Sequence, residues 1–201
     1  MAGNIIVLFP TAMEAEPFIA KYGSRADVEI CGIGLSECAA STARIVADKK
    51  PGLLILAGIA GAYEGAEMQK GDTVLVIREI SADLGSMTYG GFRPLPKNGS
   101  DTRQNHYDCP TLLPDIFPKA VSNSVNTAAT SLASLSTEAA IENMEGAAFF
   151  AVCIALGVPF AEIRTISNYV GEPREKWIIP QAAAILADNT ARLITQLSKS
   201  E

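Results

Sequence analysis

AAIENMEGAAFFAVCIALGVPFAEIRTISN, residues Ala139 to Asn168, decides how this chain folds. A short apolar run, Ala139 to Ile141, ends in Glu142, Asn143 and the pair Met144-Glu145. Gly146, Ala147 and Ala148 open a small-residue helix that runs to Leu156. Gly157 stops it, because glycine accepts the left-handed turn past a helix end, and Pro159 blocks continuation. Phe160 to Ile166 reads as a second buried strand, closed by Ser167 and Asn168. Strand, helix and strand in this order make a βαβ unit. Open α/β sheets bind ligands at the carboxyl ends of their strands. The order therefore predicts that Glu145 and Asn168, 23 positions apart, face one pocket.

The alternation continues towards the N-terminus. Asn4 to Phe9 is an apolar, β-branched run and a first buried strand. Ala12 to Tyr22 is helical and carries Glu14 and Glu16. Acids in a first turn suit the helix dipole; alternatively, one of them turns back over the strand end into the pocket. Asp27 to Cys31 is a second strand, followed by Gly32-Ile33-Gly34 and a helix from Ser36 to Ala47. Such a turn brings backbone N–H groups near a ligand or is a plain tight turn, and it lacks the third glycine of a dinucleotide fingerprint. Leu53 to Ala57 is a third strand, ending in the small-residue loop Gly58-Ile59-Ala60-Gly61, where backbone can approach a flat ligand.

Lys70-Gly71-Asp72 marks a turn before a fourth strand, Thr73 to Ile80. Ser81 to Pro118 is rich in Gly, Pro, Asn and Asp and reads as a long loop; its His106 reads as a surface residue. Lys119 to Thr127 alternates as a strand. After the central unit, Tyr169 to Lys176 is a polar loop, and Trp177 to Leu197 is an amphipathic helix with Pro180 in its first turn. Near-continuous apolar strands separated by helices imply a largely parallel sheet covered on both faces.

The length of 201 residues suits a single domain spanning 1–201. At 48% hydrophobic and 19% charged residues the chain is a folded protein rather than a disordered one. The net charge of −6 argues against nucleic-acid binding. No apolar stretch reaches the ~20 residues of a membrane helix, and the short run Ile5 to Phe9 is no signal sequence, so a cytoplasmic location is expected. Cys31, Cys38, Cys109 and Cys153 include no CxxC pair and have only His106 to join them. That leaves no zinc set, and Cys31 and Cys153, in apolar runs, are expected to be reduced core residues.

MEGAAFF, then VPF and IRTISN, resembles the purine nucleoside phosphorylase and nucleosidase superfamily, and ISNYVGEPREKW resembles its futalosine hydrolases, nucleosidases of menaquinone synthesis. The resemblance implies a single three-layer α/β/α sandwich with a mixed, twisted central sheet. It implies cleavage of an N-glycosidic bond, with no cofactor and no metal. The small-molecule partner would be a nucleoside, and relatives are often homodimers that complete each other's pockets.

On this reading Glu145 holds the ribose hydroxyls and stabilises the developing cation, and Met144 packs on the sugar. Asn168, oriented by Ser167, donates to the base. Glu16, the last acid of Ala12-Met13-Glu14-Ala15-Glu16, matches the last acid of the family's AMEEE motif, which activates water. Ile33, Ala60, Gly61 and Asn126 surround the nucleoside, and Arg174 pairs with a carboxylate on the 5′-substituent. Relatives that cleave adenine nucleosides carry aspartate at the place of Asn168, which counts against a methylthioadenosine nucleosidase. An acid at Glu16 without nearby cations counts against phosphorolysis. A non-catalytic nucleoside sensor is the alternative of a different class. Asn143 stands where the family often has a glutamate.

Overall fold

The computed structural model describes residues 4–89, 91–94, 105–128 and 138–198. β1 (Ile5–Phe9), β2 (Asp27–Ile30) and β3 (Leu53–Ala62) alternate with α1 (Ala12–Tyr22) and α2 (Leu35–Lys49). β1 lies parallel between β2 and β3. β4 (Thr73–Ser81) follows, then a hairpin of β5 (Gly85–Thr88) and β6 (Gly91–Pro94), β7 (His106–Asp108) and β8 (Lys119–Ser124). β9 (Ile141–Asn143), α3 (Gly146–Leu156), β10 (Phe160–Tyr169), a 3-10 turn at Arg174–Lys176 and α4 (Ile179–Leu197) complete the chain.

The sheet runs β10-β4-β8-β9-β3-β1-β2, and β10 also pairs with β3. β3, β9, β8, β4 and β10 therefore form a closed ring from which β1 and β2 extend. The sheet is mixed: β10 runs parallel to β3, whereas β9 and β4 run against β3 and β10 respectively. The mixed sheet is the one the resemblance implies, and most of its pairings are parallel, but it is closed rather than open.

The helices pair off. Buried residues of α2 and α3, among them Cys38, Ile45, Phe149 and Phe150, pack with Leu8, Leu54 and Phe160. Those of α1 and α4, among them Phe18, Leu186 and Leu193, pack with Val7, Ile55 and Ile163. Cys31, Cys38 and Cys153 are buried free thiols. No helix among the described residues is long and apolar enough to cross a membrane.

Three sequence expectations change in ways that shape the site. β9 and β10 do not form a parallel βαβ pair; they flank β3 on opposite sides and run in opposite directions. Glu142 and Asn168 nevertheless both pair with Gly61, because β9 is three residues long and meets only the end of β3. Gly58 to Gly61 is the continuation of β3 rather than a loop, since β10 pairs with it as far as Ala62. Ser81 to Pro118 contains β5, β6 and β7, with residue 90 and residues 95–104 outside those described.

Candidate active site

The end of β3 is the floor of a cavity. Ile59, Ala60 and Gly61 line it, together with Pro10 to Thr11, Met13 and Glu14 from the start of α1 and Ile33 from the turn before α2. Val125 and Ala128 follow β8, and Glu142 to Glu145 join β9 to α3. Ser167 and Asn168 end β10, and Arg174, Trp177 and Ile179 come from the last connection.

Glu14 is placed there by helix capping. Thr11 is the N-cap, its hydroxyl accepting from Glu14 N at 3.2 Å, which makes Thr11-Ala12-Met13-Glu14 a capping-box spacing. The Thr11 hydroxyl in turn donates to Glu14 Oε2 at 2.6 Å, and Ile59 N donates to Oε1 at 3.0 Å. Burial pushes the Glu14 carboxyl above the ordinary carboxylate range, against the Thr11 and Ile59 hydrogen bonds that pull it down. Two residues further on, about 200° round the helix, Glu16 is exposed and absent from the cavity lining. The acid at the expected place is thus Glu14, not Glu16. T-x-x-E was the sequence signal for it, and matching acids to the family motif by counting missed it.

Glu145 precedes α3, nearly fully buried. Its Oε1 accepts from Gly34 N at 3.2 Å and its Oε2 from Arg164 Nη1 at 3.2 Å. The same nitrogen donates to Ile59 O at 3.3 Å. The Ile59 peptide therefore connects the two acids, its N–H held by Glu14 and its carbonyl by the guanidinium that holds Glu145. Arg164 is fully buried within β10 and also donates through Nε to Glu162 Oε1 at 2.7 Å. A Cβ at Gly58 would collide with Nη1, which explains a glycine in the middle of β3.

Successive strand residues normally point to opposite faces, yet Ser167 and Asn168 both line the cavity. The pairing of β10 with β3 shifts register between Ile166 and Asn168, and such a bulge re-aims a side chain. Asn168 Nδ2 lies 3.1 Å from Tyr169 O and Oδ1 lies 2.7 Å from Ser167 Oγ. A backbone carbonyl only accepts, so this pair of contacts fixes the amide with its nitrogen towards Tyr169 O. One hydrogen on Nδ2 is left for a ligand.

Of the remaining expected residues, Ile33, Ala60, Gly61, Met144 and Arg174 line the cavity. Asn126 does not: it is exposed and clamps Asp83 through its backbone N–H at 2.6 Å and its Nδ2 at 3.0 Å, leaving Val125 to line the wall. His106 lies in β7, away from the cavity. Glu142 joins the lining unforeseen, 3.0 Å from the Tyr63 hydroxyl, as do Asn143 and Trp177.

A cavity lined by three buried acids, Glu14, Glu142 and Glu145, and two amides, Asn143 and Asn168, around a strand end is suited to a neutral polar ligand with a cationic transition state. Residues 119–199 match the family model of the Phosphorylase superfamily. The native structure of futalosine hydrolase from Helicobacter pylori superposes with a TM-score of 0.79 at 15% identity, over 98% of this chain and 99% of that one. A methylthioadenosine nucleosidase mutant from the same organism, with 5′-methylthioadenosine in its active site, gives 0.80 at 15% identity over 98% and 100%. The fold is the one shared by these nucleosidase structures. In sequence, the chain is 32% identical to the futalosine hydrolase of Thermus thermophilus over 217 residues, 95% of each chain. It is 33% identical to that of Streptomyces coelicolor over 184 residues, 83% of this chain and 77% of the relative. The chain belongs to the futalosine hydrolase family.

Proposed function

We propose that the cavity hydrolyses the N-glycosidic bond of futalosine, releasing hypoxanthine and dehypoxanthine futalosine. The convergence of Glu14, Glu145 and Asn168 on the end of β3 carries this reading. Glu145 accepts from the ribose hydroxyls and sets negative charge beside the oxocarbenium-like carbon. Glu14 takes a proton from the attacking water; a carboxyl raised by burial is a stronger base than an exposed one. Asn168 donates its remaining Nδ2 hydrogen to N7 or O6 of the leaving purine, both acceptors in hypoxanthine. An adenine would present its amino group to the same donor. Water rather than phosphate is the nucleophile, because the acid Glu14 stands where an anion would have to approach.

Arg174 and Trp177 form the wall beyond Asn168, with the guanidinium over the indole at 5.4 Å. A guanidinium so placed suits the carboxylate on the 5′-substituent of futalosine. Met13 and Ile33, 50% and 56% exposed where they line the cavity, support a homodimer in which a second copy covers this rim. The protein acts on a small nucleoside in the cytoplasm. Incubation with futalosine, inosine and methylthioadenosine, with and without phosphate, tests the assignment. Phosphate-independent release of hypoxanthine from futalosine is expected; a sugar phosphate formed only with phosphate would exclude hydrolysis.

A further inference from the structure

Glu79 is fully buried in β4 and lines no part of the cavity, yet both side chains that cap the start of α3 hang from it. Asn143 Oδ1 accepts from Glu145 N at 2.8 Å, Gly146 N at 2.7 Å and Arg164 Nη2 at 3.0 Å. All three are donors only, so the Asn143 amide nitrogen must face the other way. There it donates to Glu79 Oε1 at 2.6 Å and Ser122 Oγ at 2.8 Å. Ser124 Oγ accepts from Ala147 N at 2.7 Å, which leaves its hydrogen for Glu79 Oε2, also 2.7 Å away. One carboxyl group on β4 therefore anchors both caps of the helix that Glu145 leads.

We infer that Glu79 is a positioning residue for Glu145: through Asn143 and Ser124 it sets the backbone of Glu145 to Ala147 and the guanidinium that grips the Glu145 carboxylate. This rests on the reading of Glu145 as the ribose-holding acid. Asn143 touches both the backbone N–H of Glu145 and Arg164, so a turn of its amide would displace the carboxylate at both ends. Ordinary helix capping needs no buried acid; serine or asparagine suffices.

The pair Glu79 and Glu162 flanks Gly146, where an added Cβ would collide with the Glu79 carboxyl and approach Glu162 Oε1 to 2.8 Å. Glu162 Oε2 receives no hydrogen bond from any described N–H or O–H group. Glu79, Glu162 and Glu145 surround the single guanidinium of Arg164, all buried. Full burial and the Glu162 charge push the Glu79 carboxyl well above the ordinary carboxylate range. A glutamine at Glu79 keeps an oxygen for Asn143, and its NH₂ then faces Ser124 Oγ, whose hydroxyl must turn to accept from it.

The test is a double-mutant cycle on hypoxanthine release from futalosine. Glu79→Leu should lower kcat by about 10- to 100-fold and raise KM, the size of effect expected when a contact made in the transition state is misplaced. Glu79→Gln should stay within about 5-fold of wild type, since the bond to Asn143 is kept and one rearranged hydrogen bond at Ser124 costs about 1 kcal/mol or less. In a Glu145→Ala background Glu79→Leu should cost little more, because the two act as one unit. Equal losses from Glu79→Leu in both backgrounds, or Glu79→Gln as damaged as Glu79→Leu, would overturn the inference. If Glu79→Leu does not fold, Ser124→Ala takes its place in the cycle, with a smaller loss that also vanishes without Glu145; a loss that persists would overturn it. A Glu145→Ala enzyme with wild-type kinetics would instead remove the ribose reading, and the inference with it.

Discussion

Replacing Glu14 by Gln while leaving Glu16 intact, and the reverse, separates the buried acid from the exposed one. Glutamine keeps the volume of Glu14 and one acceptor, which can take Ile59 N. The Thr11 hydroxyl, now facing an NH₂, can turn to accept. The cost to folding is therefore about 1 kcal/mol or less, one rearranged hydrogen bond. The amide cannot take a proton from water, and loss of a general base costs about 10²- to 10⁴-fold in rate, or roughly 2.7–5.4 kcal/mol of barrier at 1.36 kcal/mol per tenfold. KM should change little. Wild-type turnover should also fall as pH drops through the Glu14 pKa, about tenfold per unit once the base is mostly protonated. Because burial raises that pKa, the fall should begin above the ordinary value of 4.5. Initial rates of hypoxanthine release, followed from pH 4 to 9 in roughly unit steps, measure both effects. A Glu14→Gln enzyme within about 3-fold of wild type, or a Glu16→Gln enzyme that loses 10²-fold, would refute the assignment.

Asn168→Asp should shift preference from 6-oxopurine towards 6-aminopurine nucleosides. One mispaired buried hydrogen bond, about 1–3 kcal/mol, sets the wild-type discrimination at roughly 10- to 100-fold in kcat/KM for futalosine over aminofutalosine, and an unmoved ratio would mean that another group reads position 6. Arg174→Ala should raise KM for futalosine and leave that for inosine nearly unchanged; equal effects on both substrates would remove Arg174 from the 5′-site. Gly146→Ala should lower stability by about 1–3 kcal/mol through overpacking against the two carboxyls beside it, read as a drop in Tm; an unchanged Tm would show that β4 and β10 give way. The Glu79 carboxyl, with a folded pKa raised above the ordinary 4.5, binds its proton more tightly in the folded state than in the unfolded chain. Its contribution to stability is complete below 4.5 and is lost as pH rises towards the folded pKa. Glu79→Gln should therefore flatten the decline of Tm on the alkaline side, and an unaltered decline would assign it to other groups.

The elements around Ala139–Asn168 were legible because local chemistry writes them: a left-handed glycine at Gly157, a proline after it, and a β-branched run into Ser167. Glu145 and Asn168 were legible as polar strand ends for the same reason, but they meet through the end of β3 and not through a parallel βαβ pair. Sequence periodicity does not state strand direction, so the antiparallel course of β9 and the closure of the ring had to come from pairing across long separations. Helix phase decided between Glu14 and Glu16; both are acids in one short helix, and only packing against Ile59 shows which of them turns inward. Arg164, Glu162 and Glu79 were invisible as a cluster, because in sequence they are ordinary members of apolar strands. Glu162 and Arg164 share a face of β10, but Glu79 joins them only when β4 and β10 pair and α3 lays Gly146 between the carboxyls. Local preference sets each element, and the burial of charge that joins them is a property of the closed sheet alone.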